Sequence, residues 1–300
     1  MDAWIFLSLG AALAQTVRFM LQKQLRATRL STGGATFARF IYSAPLVALA
    51  AFAYSHQSGQ AIPATSLRFW LFALSGGAAQ IVATMCVVAL FSHRNFAVGT
   101  TFKNTEVLMS VGVGFVLLGE WVSNLGLAAI VIGLFGVILL SDPPAATGKG
   151  LARLFNRAAG LGIASGFLFS ISAVGYRGAA LSLSGGDAFQ RAVVTLACVT
   201  ASQLIAQGLW LVWREPGEVL RVIKAWRIAG LVGLTSMAGS LCWFTAFALQ
   251  NVAYVKAVGQ VEMAFSLVVG WLVFGERISR REWQGMALLG GSVLLLILAS

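Results

Sequence analysis

Ten long apolar runs, separated by short polar connections, dominate the hydrophobic pattern of this chain. A run of about 18 or more apolar residues is long enough to cross a lipid bilayer as a helix. The pattern therefore predicts an all-α integral membrane protein. Its ten transmembrane helices are predicted over residues 3–22, 34–54, 68–91, 97–118, 124–141, 158–180, 187–212, 227–248, 253–274 and 282–299.

The second half of the chain repeats the first. When residues 70–123 are compared with residues 226–279, a shift of 156 positions, 14 of 54 residues are identical. A second echo, at a shift of 152, relates residues 33–39 to residues 185–191. Repeats built from membrane segments are typical of secondary transporters. The identities include residue types that apolar composition does not align: Trp70/Trp226, Cys86/Cys242, Asn95/Asn251, Glu106/Glu262 and Glu120/Glu276.

A polar stretch between the fifth and sixth predicted helices separates the two repeats. It contains Pro143, Pro144, Gly148 and Gly150, which do not continue a helix. We therefore assign residues 1–141 to a first five-helix repeat, 142–157 to a connecting loop and 158–300 to a second repeat. Because five is an odd number, the second repeat must enter the membrane inverted. The substrate site of such a transporter lies near the midplane, between the repeats.

Composition excludes a soluble globular protein. Apolar residues make up 58% of the chain and charged residues 10%, against about 25% charged residues in soluble domains. The net charge of +11 indicates basic cytoplasmic loops and not a nucleic-acid surface. The connections after the odd-numbered helices hold the basic residues, so both termini are predicted outside the cytoplasm. These residues are Lys23, Arg26, Arg29, Arg94, Lys149, Arg153, Arg157, Arg214, Arg221, Lys224, Arg227, Arg277, Arg280 and Arg281.

The doubled glutamate motif carries a family resemblance. Residues 106–120 and 262–276 each begin with Glu and end with Gly-Glu. They resemble the fourth and ninth helices of the drug/metabolite transporter superfamily in its ten-helix EamA-like form, and the resemblance covers essentially the whole chain. The family's proline after the first glutamate is replaced by Val107 and Met263, and a tryptophan of its first helix by Gln15 and Phe169.

Within that superfamily the chain is most similar to the YddG-type exporters of aromatic and other amino acids. The resemblance implies no cofactor and no use of ATP, and the sequence has no Gly-x-x-x-x-Gly-Lys-Ser/Thr loop. We expect a protein of the bacterial inner membrane that works as a monomer. Its partners are then the lipid bilayer and an amino-acid-like solute.

Charged residues inside the apolar runs are the first candidates for the site, since a charge at the centre of a membrane helix costs at least about 2.5 kcal/mol. Lys103 and Glu106 are three residues apart and can pair on one helix face. Lys256 and Glu262, six apart, are less suited to pair with each other. The four residues either line a hydrated cavity or hold the two halves together. Arg18, deep in the first run, also needs a partner.

Polar and aromatic residues complete the predicted substrate site: Gln15, Gln80, Thr84, Phe102, Trp243 and Tyr254, beside Lys103, Glu106, Lys256 and Glu262. Glu120 and Glu276 follow a glycine at a helix end and are predicted to cap the next helix. Arg39 and Arg191 lie near helix ends and are predicted to reach the lipid headgroups. No His/Cys/Glu cluster accompanies the two histidines, so the sequence predicts no metal site and no enzyme.

The sequence therefore predicts a secondary transporter that exports small metabolites by alternating access. Aromatic and other neutral amino acids are the favoured substrates. Organic cations and drugs are rivals, although the first predicted helix lacks the acidic residue that small multidrug transporters use. Nucleotide sugars remain possible because Arg18, Lys103 and Lys256 could hold phosphates. The alternative outside transport is a membrane scaffold subunit.

Overall fold

The computed structural model describes residues 2–27, 30–90, 103–140, 157–265, 268 and 280–299, and within these residues the regular structure is helical throughout. Residues 262–265 are also helical. The helices are α1 (Ala3–Ala27), α2 (Thr32–Ser58), α3 (Leu67–Leu90), α4 (Glu106–Leu118), α5 (Asn124–Leu140), α6 (Arg157–Leu181), α7 (Ala188–Arg214), α8 (Glu218–Lys224), α9 (Trp226–Leu249), α10 (Val252–Gly259) and α11 (Arg280–Ala299).

The described helices fall on all ten predicted spans, which confirms the all-α membrane fold. Five of them, α1, α2, α3, α7 and α9, are long and apolar enough to cross a bilayer over 23 to 27 residues each. The short helix α8 was not predicted. It lies in the connection between the seventh and eighth spans and turns the chain from α7 into α9.

The fourth and ninth spans differ from the prediction because each is interrupted. Asn104 and Thr105 form a turn directly before α4, and Gln260 and Val261 form a turn directly after α10. The two breaks are again 156 residues apart. Neither follows a proline, so the loss of the family's proline does not make these spans continuous. Interrupted membrane helices are a feature of transporter sites because their free ends present backbone groups and charges near the midplane.

Helix packing intertwines the two halves of the chain. The most extensive contacts join α3 to α6, α1 to α9, α5 to α11 and α2 to α7. Each of these pairs takes one helix from either half. The α1–α9 pair corresponds to the α6–α3 pair when the two halves are exchanged, as a two-fold related, inverted repeat requires. The halves are therefore one packed body, and the space between them is the centre of the protein.

Small residues allow the closest of these helix contacts. A Cβ atom on Gly175 of α6 would lie 3.0 Å from the Phe72 carbonyl oxygen and 3.1 Å from the Gly76 Cα of α3. A Cβ on Gly76 would in turn lie 3.1 Å from the Ser172 carbonyl oxygen. All three of these contacting atoms belong to the backbone, which cannot move aside as a side chain can. The glycines thus fix how closely α3 and α6 approach, as small residues do in membrane bundles.

The two Gly-Gly pairs that the sequence aligns have different structural reasons. Gly185 and Gly186 precede α7 with φ angles of 85° and 72°, a left-handed backbone that favours glycine. Gly34 lies in the first turn of α2, where any Cβ would collide with the carboxylate of Glu218.

The residue that follows Gly186 caps the next helix. Asp187 caps α7 by accepting a hydrogen bond from the Gln190 backbone N–H at 2.8 Å. The Tyr54 hydroxyl donates to Asp187 at 2.7 Å and is the main cause that lowers the pKa of its carboxyl group.

We predict that Gly175→Ala destabilises the protein by about 1–3 kcal/mol because the added methyl group meets backbone atoms of α3. Thermal unfolding of the purified protein in detergent measures the effect. Gly160→Ala is the matched control, since a Cβ there meets nothing within 4 Å. The control should be neutral or slightly stabilising, because alanine favours helix over glycine. Equal melting temperatures for the two variants would contradict the packing account.

Candidate functional site

Two buried ion pairs cross between the halves of the chain at the broken helices. The Lys103 ammonium lies 2.8 Å from the Glu262 carboxylate. The Lys256 ammonium lies 2.6 Å from the Glu106 carboxylate. Lys103 therefore does not pair with Glu106, its neighbour three residues away. Each lysine instead pairs with the glutamate of the other half, and we call these two contacts the crossed ion pairs.

The helix breaks bring the crossed ion pairs together. Glu106 begins α4 and Lys256 lies in the last turn of α10, so each charge is favoured by the dipole of its own helix end. The Gln260 side-chain amide donates to the Asn104 carbonyl oxygen at 2.9 Å. That bond joins one break to the other and satisfies a carbonyl group close to the interrupted helix. The breaks and the charges form a single polar centre inside an apolar bundle.

Burial makes these contacts important for stability. The side-chain exposures are 8% and 14% for Lys103 and Glu262, and 12% and 7% for Lys256 and Glu106. Removing one member of a buried pair typically costs about 3–5 kcal/mol, since the other charge is left without compensation. The crossed ion pairs therefore hold the two halves together, whatever further role they have.

Gln15 connects the crossed ion pairs to α1. Its amide nitrogen donates to the second oxygen of Glu262 at 2.5 Å. Its amide oxygen accepts from the Arg18 guanidinium at 3.4 Å, a long contact. Glu262 thus receives hydrogen bonds from α1 and from Lys103 before the break in the fourth span.

Two small cavities lie on either side of Gln15, Trp243 and Lys256, which line both of them. The first cavity has a volume of about 30 Å³ and the second about 20 Å³, enough for water molecules but not for an amino acid. The second cavity contains the crossed ion pairs. We call the first one the central cavity. Its other principal lining residues are Arg18, Arg39, Gln80, Phe169, Tyr176, Ser240, Phe244 and Phe247.

The two halves of the chain line the central cavity with different chemistry. The first half contributes only polar side chains: Gln15, Arg18, Arg39 and Gln80. The second half contributes all five aromatic residues: Phe169, Tyr176, Trp243, Phe244 and Phe247. Tyr176 stacks on Phe244 with ring centroids 4.3 Å apart, and Trp243 stacks on Phe247 at 5.7 Å. We call the four residues of the first half the cationic wall and the five rings the aromatic wall, and Lys256 of the second half lies beside the rings.

The aromatic wall is fixed by a close approach at the second break. A Cβ on Gly259 would collide with the indole ring of Trp243. The Lys256 ammonium lies 4.6 Å from the centre of a Trp243 ring, within the range of a cation–π interaction. Glycine at position 259 lets the indole lie against the backbone beside the crossed ion pairs.

Two arginines lie buried at the central cavity. Arg18 and Arg39 are each only 4% exposed. Arg39 donates to the Ser240 hydroxyl at 3.1 Å, and none of the carboxylates that the structure describes lies within ion-pair distance of either guanidinium. The prediction that Arg39 extends to the headgroups is wrong, because its side chain turns inward to α9. Buried guanidinium groups offer charged hydrogen-bond donors to an anionic group.

The other predicted residues occupy several places. Gln80 lines the central cavity and accepts from the Tyr176 hydroxyl at 2.9 Å and from Gln203 at 3.0 Å. Thr84 is fully buried and lines neither cavity. Tyr254 lies at the α4–α5 connection, where its hydroxyl oxygen accepts from the Ser123 backbone N–H at 2.9 Å. Phe102 and Glu276 lie outside the described residues.

Glu120 belongs to an ion pair at one end of the bundle. Its two carboxylate oxygens accept from Arg177 Nε at 2.8 and 2.9 Å. Arg177 also donates to the Gln250 carbonyl oxygen at 2.8 Å. Ser123, and not Glu120, caps α5 by accepting from the Gly126 backbone N–H at 3.1 Å. Arg177 and Glu120 thus join the ends of α4, α6 and α9 on one face of the membrane.

Sequence reasoning did not select Arg39, Tyr176, Ser240, Phe244 or Gln260 for the site. The sequence did contain an indication for Arg39, since it is a charged residue inside a predicted span and its counterpart in the second repeat is Arg191. Gln260 also gave one, because it is a polar residue two positions before a repeated glutamate. The aromatic residues resemble any others in an apolar helix, and only packing places them at the cavity.

The arrangement of two interlocked halves with broken helices at their centre agrees with a family match. The model of the EamA-like transporter family matches residues 2–142 and 156–298. The chain belongs to the EamA-like transporter family. The predicted family is thereby confirmed, and the protein is a multi-pass membrane transporter of small molecules.

Two individual comparisons accompany the family match, one with a curated relative and one with a solved structure. The chain is 29% identical over 103 residues to an uncharacterized transporter in the cobO 3' region of Sinorhizobium sp, covering 34% of this chain and 70% of the relative. A solved structure, described as the crystal structure of a protein, matches with a TM-score of 0.72 at 16% identity. It covers 99% of this chain and 97% of that chain, so it shows the same fold over the full length.

We predict that Lys256→Met lowers the stability of this EamA-like protein by about 3–5 kcal/mol, because Glu106 keeps a buried charge without a partner. Adding Glu106→Gln should restore most of the loss, since the double variant carries no charge at this position. Thermal unfolding of wild type, both single variants and the double variant forms the required cycle. Additive losses in the double variant would mean that the two side chains act independently.

Proposed function

We propose that the protein is a secondary transporter that exports amino acids, aromatic and other neutral ones, through the central cavity. The observation that carries the proposal is the pair of buried arginines, Arg18 and Arg39, in the same cavity as the aromatic wall. A neutral amino acid has a carboxylate at one end and an apolar side chain at the other. It therefore matches a cavity lined by both guanidinium groups and aromatic rings.

The binding mode follows from the geometry of the two walls. The substrate carboxylate accepts hydrogen bonds from Arg18 and Arg39, which are charge-assisted and partly desolvated. Its side chain packs against Trp243 and Phe244, where aromatic burial supplies most of the apolar contact. The amide oxygen of Gln15, which accepts only the long contact from Arg18, lines the same cavity and accepts from the substrate ammonium.

Alternating access supplies the space that the cavity lacks. A volume of about 30 Å³ is far below the roughly 300 Å³ of a small ligand pocket. We propose that the halves rock about the crossed ion pairs and widen the central cavity on one membrane face at a time. The Arg177–Glu120 ion pair then separates when the cavity opens on its side of the membrane.

The cavity chemistry favours amino acids over the rival substrates. An organic cation would meet Arg18, Arg39 and Lys256, and no carboxylate among the described residues lines the central cavity. A nucleotide sugar would find cations for its phosphates, but it needs a far larger opening of the bundle. We further propose a monomer in the bacterial inner membrane with both termini outside the cytoplasm, as the basic loops favour.

Counterflow in proteoliposomes tests the proposed substrate class. Vesicles loaded with unlabelled solute are offered radiolabelled phenylalanine, threonine, a quaternary ammonium dye and a nucleotide sugar in parallel. We expect exchange of both amino acids and none of the other two. Exchange of the dye or the nucleotide sugar alone would overturn the substrate class. Absence of exchange for every solute in an extended panel would favour the scaffold alternative.

We predict that Arg39→Gln lowers amino acid exchange about tenfold or more, because a hydrogen bond to a charged group is worth about 1.5–3 kcal/mol. Arg191→Gln is the matched control, since Arg191 is the repeat counterpart of Arg39 and does not line the central cavity. The control should retain exchange, and both variants should unfold at wild-type temperature. Equal exchange by the two variants would contradict a role for Arg39 in carboxylate binding.

A further inference from the structure

A basic groove lies beside α8, remote from the central cavity. Its volume is about 730 Å³ and it opens at the bundle surface, where the ends of α1, α8 and α9 meet. Trp226 and Ile228 form its apolar floor, while Leu25 and Leu30 are buried. Arg221, Lys224 and Arg227 add three cationic side chains to its lining. Nothing in the proposed transport cycle uses this groove.

The helix α8 places the groove at the depth of the lipid headgroups. One face of α8 is anchored in the protein, since Glu218 and Val222 are fully buried. Its other face leaves Leu220 and Ile223 about half exposed, at 55% and 46%. Trp226, at the start of α9, is 60% exposed. Exposed aliphatic residues, lysine and tryptophan on a short surface helix mark a membrane–water interface.

Among the described residues, the positive charge of the groove is compensated only in part. The nearest acid is Glu218, whose carboxylate accepts from the Ser31 backbone N–H at 2.5 Å and pairs with Arg221 at 2.6 Å. Arg221 is thereby tied to the protein. Lys224 and Arg227 form no ion pair with any carboxylate that the structure describes. Both are exposed, so two cations remain available to a ligand.

We propose that this groove is a binding site for an anionic phospholipid. Lys224 and Arg227 hold the phosphate and the acidic headgroup, while an acyl chain lies along Trp226 and Ile228. A cationic rim above an apolar floor, at headgroup depth, matches the two parts of such a lipid. A soluble anion would leave the floor uncovered, and a zwitterionic lipid would leave the excess positive charge unneutralised. The predicted orientation places the site in the cytoplasmic leaflet.

Native mass spectrometry of the delipidated protein tests the site. The full-length chain is titrated with dioleoyl phosphatidylglycerol or dioleoyl phosphatidylcholine, and the bound lipids are counted. The test variant is Lys224→Gln/Arg227→Gln. The matched control is Arg68→Gln/Arg214→Gln, which removes the same charge from exposed arginines outside the groove. Arg221 is left unchanged so that Glu218 keeps its ion pair.

We expect one tightly bound phosphatidylglycerol in wild type and in the control, and at least about tenfold weaker binding in the test variant. Equal phosphatidylglycerol affinity in the test and control variants would overturn the site. Equal retention of both lipids by wild type would mean an apolar groove without headgroup recognition. Binding of glycerol phosphate as tightly as phosphatidylglycerol would replace the lipid with a soluble anion. Amino acid counterflow is measured on the same test variant, because transport through the central cavity and lipid binding in the groove are separate proposals. Loss of lipid binding with retained counterflow, or the reverse, distinguishes the failure of one from the failure of the other.

Discussion

A charge placed in the middle of a membrane must find a partner within the protein, and this constraint shapes the centre of the molecule. Each half of the chain carries one lysine and one glutamate there, and each lysine pairs with the glutamate of the other half. Neither half would satisfy its own charges in this geometry. A half folded alone would expose charges to the bilayer at a cost of several kcal/mol. The crossed ion pairs therefore favour the complete two-repeat fold over its separate parts.

The repeat is symmetric in its backbone and asymmetric in its chemistry. Glu106 and Glu262 are equivalent, and so are the two helix breaks. The lysines are not, because Lys103 lies three residues before its glutamate and Lys256 lies six before. The lining of the central cavity also differs between the two halves. Symmetry provides two interlocked halves, and the differences between the halves give the central cavity polar residues from one half and aromatic residues from the other.

The sequence predicts the fold better than the site because the two depend on different information. Apolar run length and the shift of 156 residues determine the spans and the repeat, since the bilayer allows few other arrangements. The pairing of Lys103 depended on an interrupted helix. The local spacing rule gives Glu106 as its partner, while a break after Lys103 directs its side chain to Glu262. The prediction that Arg39 reaches the headgroups was wrong for a similar reason. The direction of a side chain near a helix end depends on the neighbouring helix that it faces.

The position of the crossed ion pairs also restricts how the cavity can open. Lys256 and Trp243 line both the central cavity and the second cavity, which contains the crossed ion pairs. Lys256 therefore belongs to the boundary between the two spaces. Breaking its pair with Glu106 leaves two buried charges without compensation unless water reaches them. In the proposed cycle, widening of the cavity is thus coupled to weakening of the contact between the halves. A transporter built this way opens its site only while water or substrate replaces the lost contacts.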